Sequence, residues 1–216
     1  MKPLFDMCDT IRGYAINERF LSKPFETMTP REAKLSFVEF LQTKGERLEI
    51  LLATINAESP PVAGTLDFTP ESLVPLGRWL SNHVHVRKLT IEELRVEREQ
   101  FGQTRVVQKH PALKEYFHRL MSDWKLTEET LSLCWDIGIY FGEVFTKRYD
   151  TVQWTYFTSP KTVDVNRPVL SGWLDHPCPS ALVHVIAIKL LKRTAGLEEL
   201  RRVYESWEKR LGPKAG

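Results

Sequence analysis

The sequence predicts an α+β domain that is mostly helical, with a long central helix packed with other helices against a small antiparallel sheet. Three observations carry that expectation. Helix-start signatures recur, in "TPRE" from Thr29 and "TIEE" from Thr90, where a threonine N-cap precedes a glutamate placed to complete a capping box. One segment, from Thr127 to about Tyr149, is apolar around almost its whole circumference. A β-branched and aromatic run, "TVQWTYFT", is followed by a second extended stretch, with no strand-helix alternation of the doubly wound kind.

Taken in order, the first long helix starts at Thr29, with Pro30 at the first helical position, where its missing N–H costs nothing. It runs to about Thr54 with Phe37, Phe40, Leu41, Leu48, Leu51 and Leu52 as its apolar positions, and "SPP" at Ser59 stops it. "GTLDF" at Gly64–Phe68 reads as a short strand. "TPES" then opens a helix with Leu73, Leu76, Trp79 and Leu80 on one side. The helix from Thr90 is charged over most of its surface and belongs outside the core. A short helix follows from Pro111 to about Ser122. After the central helix come the "TVQWTYFT" strand, a turn at "SPKT", and "VDVNRPVLSGW", where Pro168 implies an edge or a bulge. Pro177 and Pro179 bracket the entry to a helix containing Leu182, Val185, Ile186 and Leu190, and an amphipathic helix spans Leu197 to about Leu211. The domain expectation is one unit over 1–216, a helical region at 1–60 preceding an α+β core at 61–216.

The central helix contains "GIYFGEVF". Gly138 and Gly142 lie one turn apart, and each costs roughly 1 kcal/mol of helix propensity relative to alanine. Close approach of a neighbouring element is the compensation to expect. A narrow polar stripe holds Glu129, Ser132, Asp136, Tyr140, Glu143 and Lys147. Asp136 and Glu143 sit two turns, about 10 Å, apart, a spacing that inverting glycosidases also use. The simpler expectation pairs Glu143 with Lys147 at i,i+4 and gives Asp136 a cap or salt bridge on another element.

The second constellation is "DHPCPSALVH". It gathers Asp175, His176, Cys178 and His184, with Cys178 near a helix N-terminus that would favour its thiolate. A nucleophilic Cys178 with His176 or His184 as base is one reading, and a metal held by these groups is another. Against both, the spacing matches no standard zinc pattern, and a histidine inside the apolar run around His184 is more often a satisfied core residue. His83 and His85 fall at a predicted helix end, where a charge–dipole contact is the economical role.

Composition restricts function. Lys+Arg of 30 against Asp+Glu of 28 gives a net charge of +2, no field for recruiting nucleic acid or an anionic membrane. The basic C-terminal helix is interleaved with glutamates, and Tyr204 and Trp207 could serve a partner-binding face there. Cys8, Cys134 and Cys178 are odd in number and widely spaced, which points to free thiols in a reducing, cytoplasmic setting. No P-loop, dinucleotide-type glycine motif, H-E-x-x-H or G-x-S-x-G occurs, so no cofactor and no metal are expected.

The order of "LDFTPESLVPLGRWL", "GIYFGEVF" and the Trp-bearing "VQWTYF" with "RPVLSGW" resembles a loose set of bacterial domains of unknown function. The resemblance covers roughly residues 64 to 175 and rests on packing motifs, so it carries over no catalytic residue. Some such domains occur among toxin-immunity and accessory proteins, which implies a binding role. The leading expectation is a non-catalytic bacterial cytoplasmic protein acting through contacts with another protein. The alternative is a small hydrolase-like enzyme with a pocket near Glu143 and Asp175–His184, its candidates being Glu143, Asp136, Cys178, His176 and His184.

Overall fold

Residues 13–102, 122–158 and 164–211 are described by the computed structural model. They group into two compact units: residues 85–102 with 122–127, and residues 13–84, 128–158 and 164–211. The expected helix from Pro111 and the "SPKT" turn at Ser159 lie outside the described residues, apart from Ser122.

The larger unit begins with α1 (Glu18–Ser22), a 3-10 turn at Phe25–Thr27, and α2 (Pro30–Glu58). The Thr29 capping box forms as the sequence implies: Glu32 N–H donates to Thr29 Oγ1 at 3.3 Å, and the Glu32 carboxylate accepts the Thr29 N–H at 2.8 Å. Thr29→Ala removes the first of these bonds and should lower stability by about 1 kcal/mol, measured as a shift in the urea midpoint.

Past the expected end at Thr54, α2 continues to Glu58, and the prolines start a further short helix, α3 (Pro60–Ala63). "GTLDF" is a turn and not the expected strand. Its amides bond locally, Thr65 N to Val62 O and Leu66 N to Ala63 O, and Phe68 closes it with φ of 60°. A 3-10 turn at Pro70–Ser72 leads into α4 (Leu73–Asn82), whose Leu73, Leu76, Trp79 and Leu80 are buried as expected.

The smaller unit pairs β1 (Val86–Lys88) antiparallel with β2 (Trp124–Leu126), a ladder the sequence did not announce. Between them, α5 (Ile91–Gly102) starts from the Thr90–Glu93 capping box. Ile91 through Glu99 include no buried residue, in keeping with its charged surface.

α6 (Glu128–Arg148) is the centre of the larger unit, buried without a break from Ser132 to Phe145. β3 (Trp154–Thr155) and β4 (Val169–Leu170) form the expected antiparallel ladder, but only two residues of each strand pair. α7 (Pro179–Leu191) and α8 (Glu199–Glu208) complete the unit. α6 packs most extensively on α7 and also on α2, while α8 packs on α4. Among the described residues the fold is therefore α+β and mostly helical.

Both glycines of α6 lie at contacts. A Cβ on Gly138 would sit 2.6 Å from Ser180 Cα and 2.8 Å from Ser180 N, at the start of α7. A Cβ on Gly142 would overlap the Trp154 ring of β3. Tyr204 and Trp207, read above as a partner face, instead pack inside with Phe141, Phe145 and Trp173.

Candidate functional site

From Ser132 to Glu143 the polar stripe of α6 faces the interior of its own unit, while Lys147 is exposed. Asp136 is fully buried and accepts three hydrogen bonds from two residues, one before α1 and one on α2. Tyr14 Oη donates to Oδ2. Arg47 of α2 donates Nε to Oδ1 at 2.9 Å and Nη2 to Oδ2 at 2.6 Å, a bidentate fork. The same Nη2 donates to Ala15 O at 2.8 Å, and Asn17 N donates to Ser132 Oγ at 2.9 Å. These bonds fasten residues 14–17 across α2 and α6. Burial pushes the Asp136 carboxyl up to about 6, with Arg47 and Tyr14 pulling it back. Burial likewise holds the neighbouring Cys134 thiol up at about 12.

Tyr140 is also consumed internally. Its hydroxyl accepts the Phe68 N–H at 2.9 Å and bonds Ser72 Oγ at 2.7 Å, while its ring stacks on Phe68. The unusual Phe68 backbone thus docks the "LDF" turn on α6.

Glu143 does not pair with Lys147. Its Oε1 accepts from Lys44 Nζ of α2 at 2.7 Å and from Trp154 Nε1 at 2.8 Å. Lys147 lies instead over the Phe68 ring, 3.5 Å from its centre. The i,i+4 geometry was available, but Glu143 is turned towards α2 by two donors that an exposed lysine could not replace. Glu143 also lines an open depression of roughly 380 Å³, together with Leu41, Lys44, Thr146, Asp150 and Trp154. Asp136 and Glu143 are thereby each bound into a different set of internal partners and do not frame a common cleft.

The "DHPCPSALVH" residues point apart. Cys178 is the N-cap of α7 but is buried, its Sγ 3.5 Å from Pro168 O and 3.4 Å from Ser180 Oγ. Burial raises its thiol and outweighs the helix terminus, so the expected thiolate is not favoured. Asp175 is exposed and paired with Arg210 at 3.0 Å. The His176 ring stacks on Phe157, 4.1 Å between centres. His184 is exposed and not the core residue expected, because α7 turns Val183, Ile186 and Ala187 inward and leaves His184 and Val185 outside. Among the described residues no group of three or more His, Cys, Asp and Glu is placed to hold a metal ion, and no helix is long and apolar enough to cross a membrane.

Of the residues that complete these contacts, Trp154 was marked only as the tryptophan of the "VQWTYF" strand, and Tyr14, Lys44 and Arg47 were not singled out from the sequence. For Arg47 a signal existed. Ala33, Phe40 and Arg47 recur every seven residues, Leu51 and Ile55 follow at fours, and all five are buried. An arginine in that register is a buried cation seeking an anion. Comparison of the chain with family models, with curated proteins and with solved structures finds no match.

Proposed function

We propose that this protein is a non-catalytic binding protein, acting through contacts with another protein in the manner of an immunity or accessory protein. One observation carries the reading: the carboxylates and the thiol from which a hydrolase-like site would be built are bonded within the protein and do not converge with a histidine. Asp136 is buried and accepts from Tyr14 and Arg47, Oε1 of Glu143 accepts from Lys44 and Trp154, and Cys178 is buried with its Sγ against Pro168 O. A general base or nucleophile needs a lone pair aimed at substrate. Among the exposed residues of α2, Leu35, Val38 and Leu41 are 61%, 43% and 42% exposed, interspersed with Arg31, Lys34, Glu39 and Gln42.

The resemblance to immunity-type domains makes the product of the adjacent gene the partner to test. Co-expression should give a complex that co-elutes on size exclusion, and Leu35→Glu with Val38→Glu should weaken it at least about tenfold while leaving the circular dichroism unchanged. Failure of that product to bind, together with retention of no protein from the cell's own extract, would overturn the proposal.

A further inference from the structure

We infer that the depression beside the C-terminal end of α6 is a docking site for an arginine side chain of the protein partner, with the free oxygen of Glu143 as its acceptor. The inference rests on the binding role proposed above and names the chemistry of the partner. Glu143 is only 8% exposed, and its two oxygens are used unequally. Oε1 accepts from both Lys44 Nζ and Trp154 Nε1. Oε2 accepts no hydrogen bond among the described residues, yet it is not a sealed atom, and solvent reaches it. The two bonds to Oε1 hold the carboxylate in place, so Oε2 is a fixed acceptor in the wall of the depression. No histidine or cysteine lines that wall, and the open lone pair serves recognition.

The local field selects a cation. The charged lining consists of two carboxylates, Glu143 and Asp150, against one ammonium, Lys44, a net charge of −1. Lys44 is already paired with Glu143, whereas the exposed Asp150 side chain has no hydrogen bond or ion pair among the described residues. Asp150 follows the last residue of α6 by two, at the end of a helix where the backbone carbonyls already concentrate negative charge. The two cations of the last turn are used elsewhere, Lys147 over the Phe68 ring and Arg148 on Glu208.

The remaining lining fits the stem and the plane of an arginine. Leu41 and Val152 offer aliphatic surface, and the half-buried Trp154 ring offers an aromatic one. A guanidinium is planar, weakly hydrated and able to stack on an indole while donating to a carboxylate. The volume of roughly 380 Å³ admits such a side chain. Leu41 also belongs to the exposed aliphatic residues of α2 proposed above to meet the partner, so the depression adjoins that surface.

The test uses a blocked arginine in place of the partner. N-acetyl-arginine amide is titrated into ¹⁵N-labelled protein and read at the Trp154 indole N–H, which is bonded to the same carboxylate; Trp154→Phe assigns that resonance. It should move saturably with a Kd of about 1–10 mM, and N-acetyl-citrulline amide, which has the same shape without the charge, should bind at least about tenfold more weakly. Glu143→Gln keeps an oxygen for Lys44 and Trp154 but turns an amide N–H towards the depression, and should weaken arginine binding by at least about tenfold. Asp150→Asn, at an exposed side chain, should weaken it about threefold with an unchanged urea midpoint. It decides the matter even where Glu143→Gln disturbs the fold. No saturable shift, equal binding of the arginine and citrulline derivatives, or variants that bind like wild type would overturn the inference. Tighter binding of free arginine than of the blocked derivative would mark a small-molecule site and overturn it as well. A partner complex that forms equally with wild type and both variants would sink the arginine site alone, whereas the absence of any complex sinks the binding role itself.

Discussion

Arg47→Met should destabilise the protein by about 3–5 kcal/mol at neutral pH. The effect comes less from the lost ion pair than from what is left behind. Asp136 is fully buried, and once the guanidinium fork is gone its carboxylate keeps only the Tyr14 hydroxyl. An ion stranded in that position loses hydration with no compensating charge.

The pH dependence gives this prediction its distinctive form. In the wild type the Asp136 carboxyl is raised to about 6, above the roughly 3.9 of an unfolded aspartate. Between those values the folded chain binds the proton more tightly than the unfolded one, so this group's contribution falls as pH rises from about 4 through 6. Removing Arg47 removes what pulls the carboxyl down, and the decline then continues to higher pH. The variant's deficit should be smallest near pH 4 and widen as pH rises past 6. Adding Asp136→Asn should restore part of the loss, since a neutral amide has no charge to strand. Denaturation midpoints from pH 4 to 8 decide it. A deficit that is constant with pH, or a double variant as poor as the sum of the singles, would show that charge at Asp136 does not govern this joint.

The same joint shows what the sequence revealed and where it fell short. The capping boxes at Thr29 and Thr90 were legible because each is a contact between residues three apart. The central helix was legible because an almost wholly apolar circumference leaves little choice but burial. The polar stripe was visible too, but its direction was not. Helical periodicity places Asp136 and Glu143 on one side of α6 without saying what stands opposite, and the answer lay in Arg47 and Lys44, about a hundred residues earlier. Glu143 and Lys147 had the spacing of a surface pair, yet two donors on other elements outcompeted it. "GTLDF" misled for a related reason. Its alternation of apolar and polar residues serves a turn that sends Leu66 into the core and Phe68 onto Tyr140. The β1–β2 ladder joins segments well separated in sequence, and neither is long enough to show a period of two.

The glycines of α6 support the other large prediction, in which one kind of substitution has opposite signs at two sites. Gly138→Ala should destabilise the protein by about 2 kcal/mol or more, net of the roughly 1 kcal/mol that alanine contributes to helix propensity. The new methyl would lie against Ser180 Cα and N. Those are backbone atoms at the first turn of α7, where Pro179 already restricts the chain, so no side-chain rotation relieves the overlap. The start of α7 must move away from α6, which loosens the most extensive helix packing of the unit, in which Val183 and Ile186 of α7 are buried. Gly45→Ala makes the matching change in α2, where the added methyl meets nothing within 4 Å. There only propensity and unfolded-state entropy operate, and the variant should be more stable than wild type by about 0.5–1 kcal/mol. Urea denaturation of the two variants side by side separates packing from propensity. If Gly138→Ala were as stable as wild type, α6 and α7 could not be as close as the fold requires, and if Gly45→Ala lost stability, something would have to cover the outward face of α2.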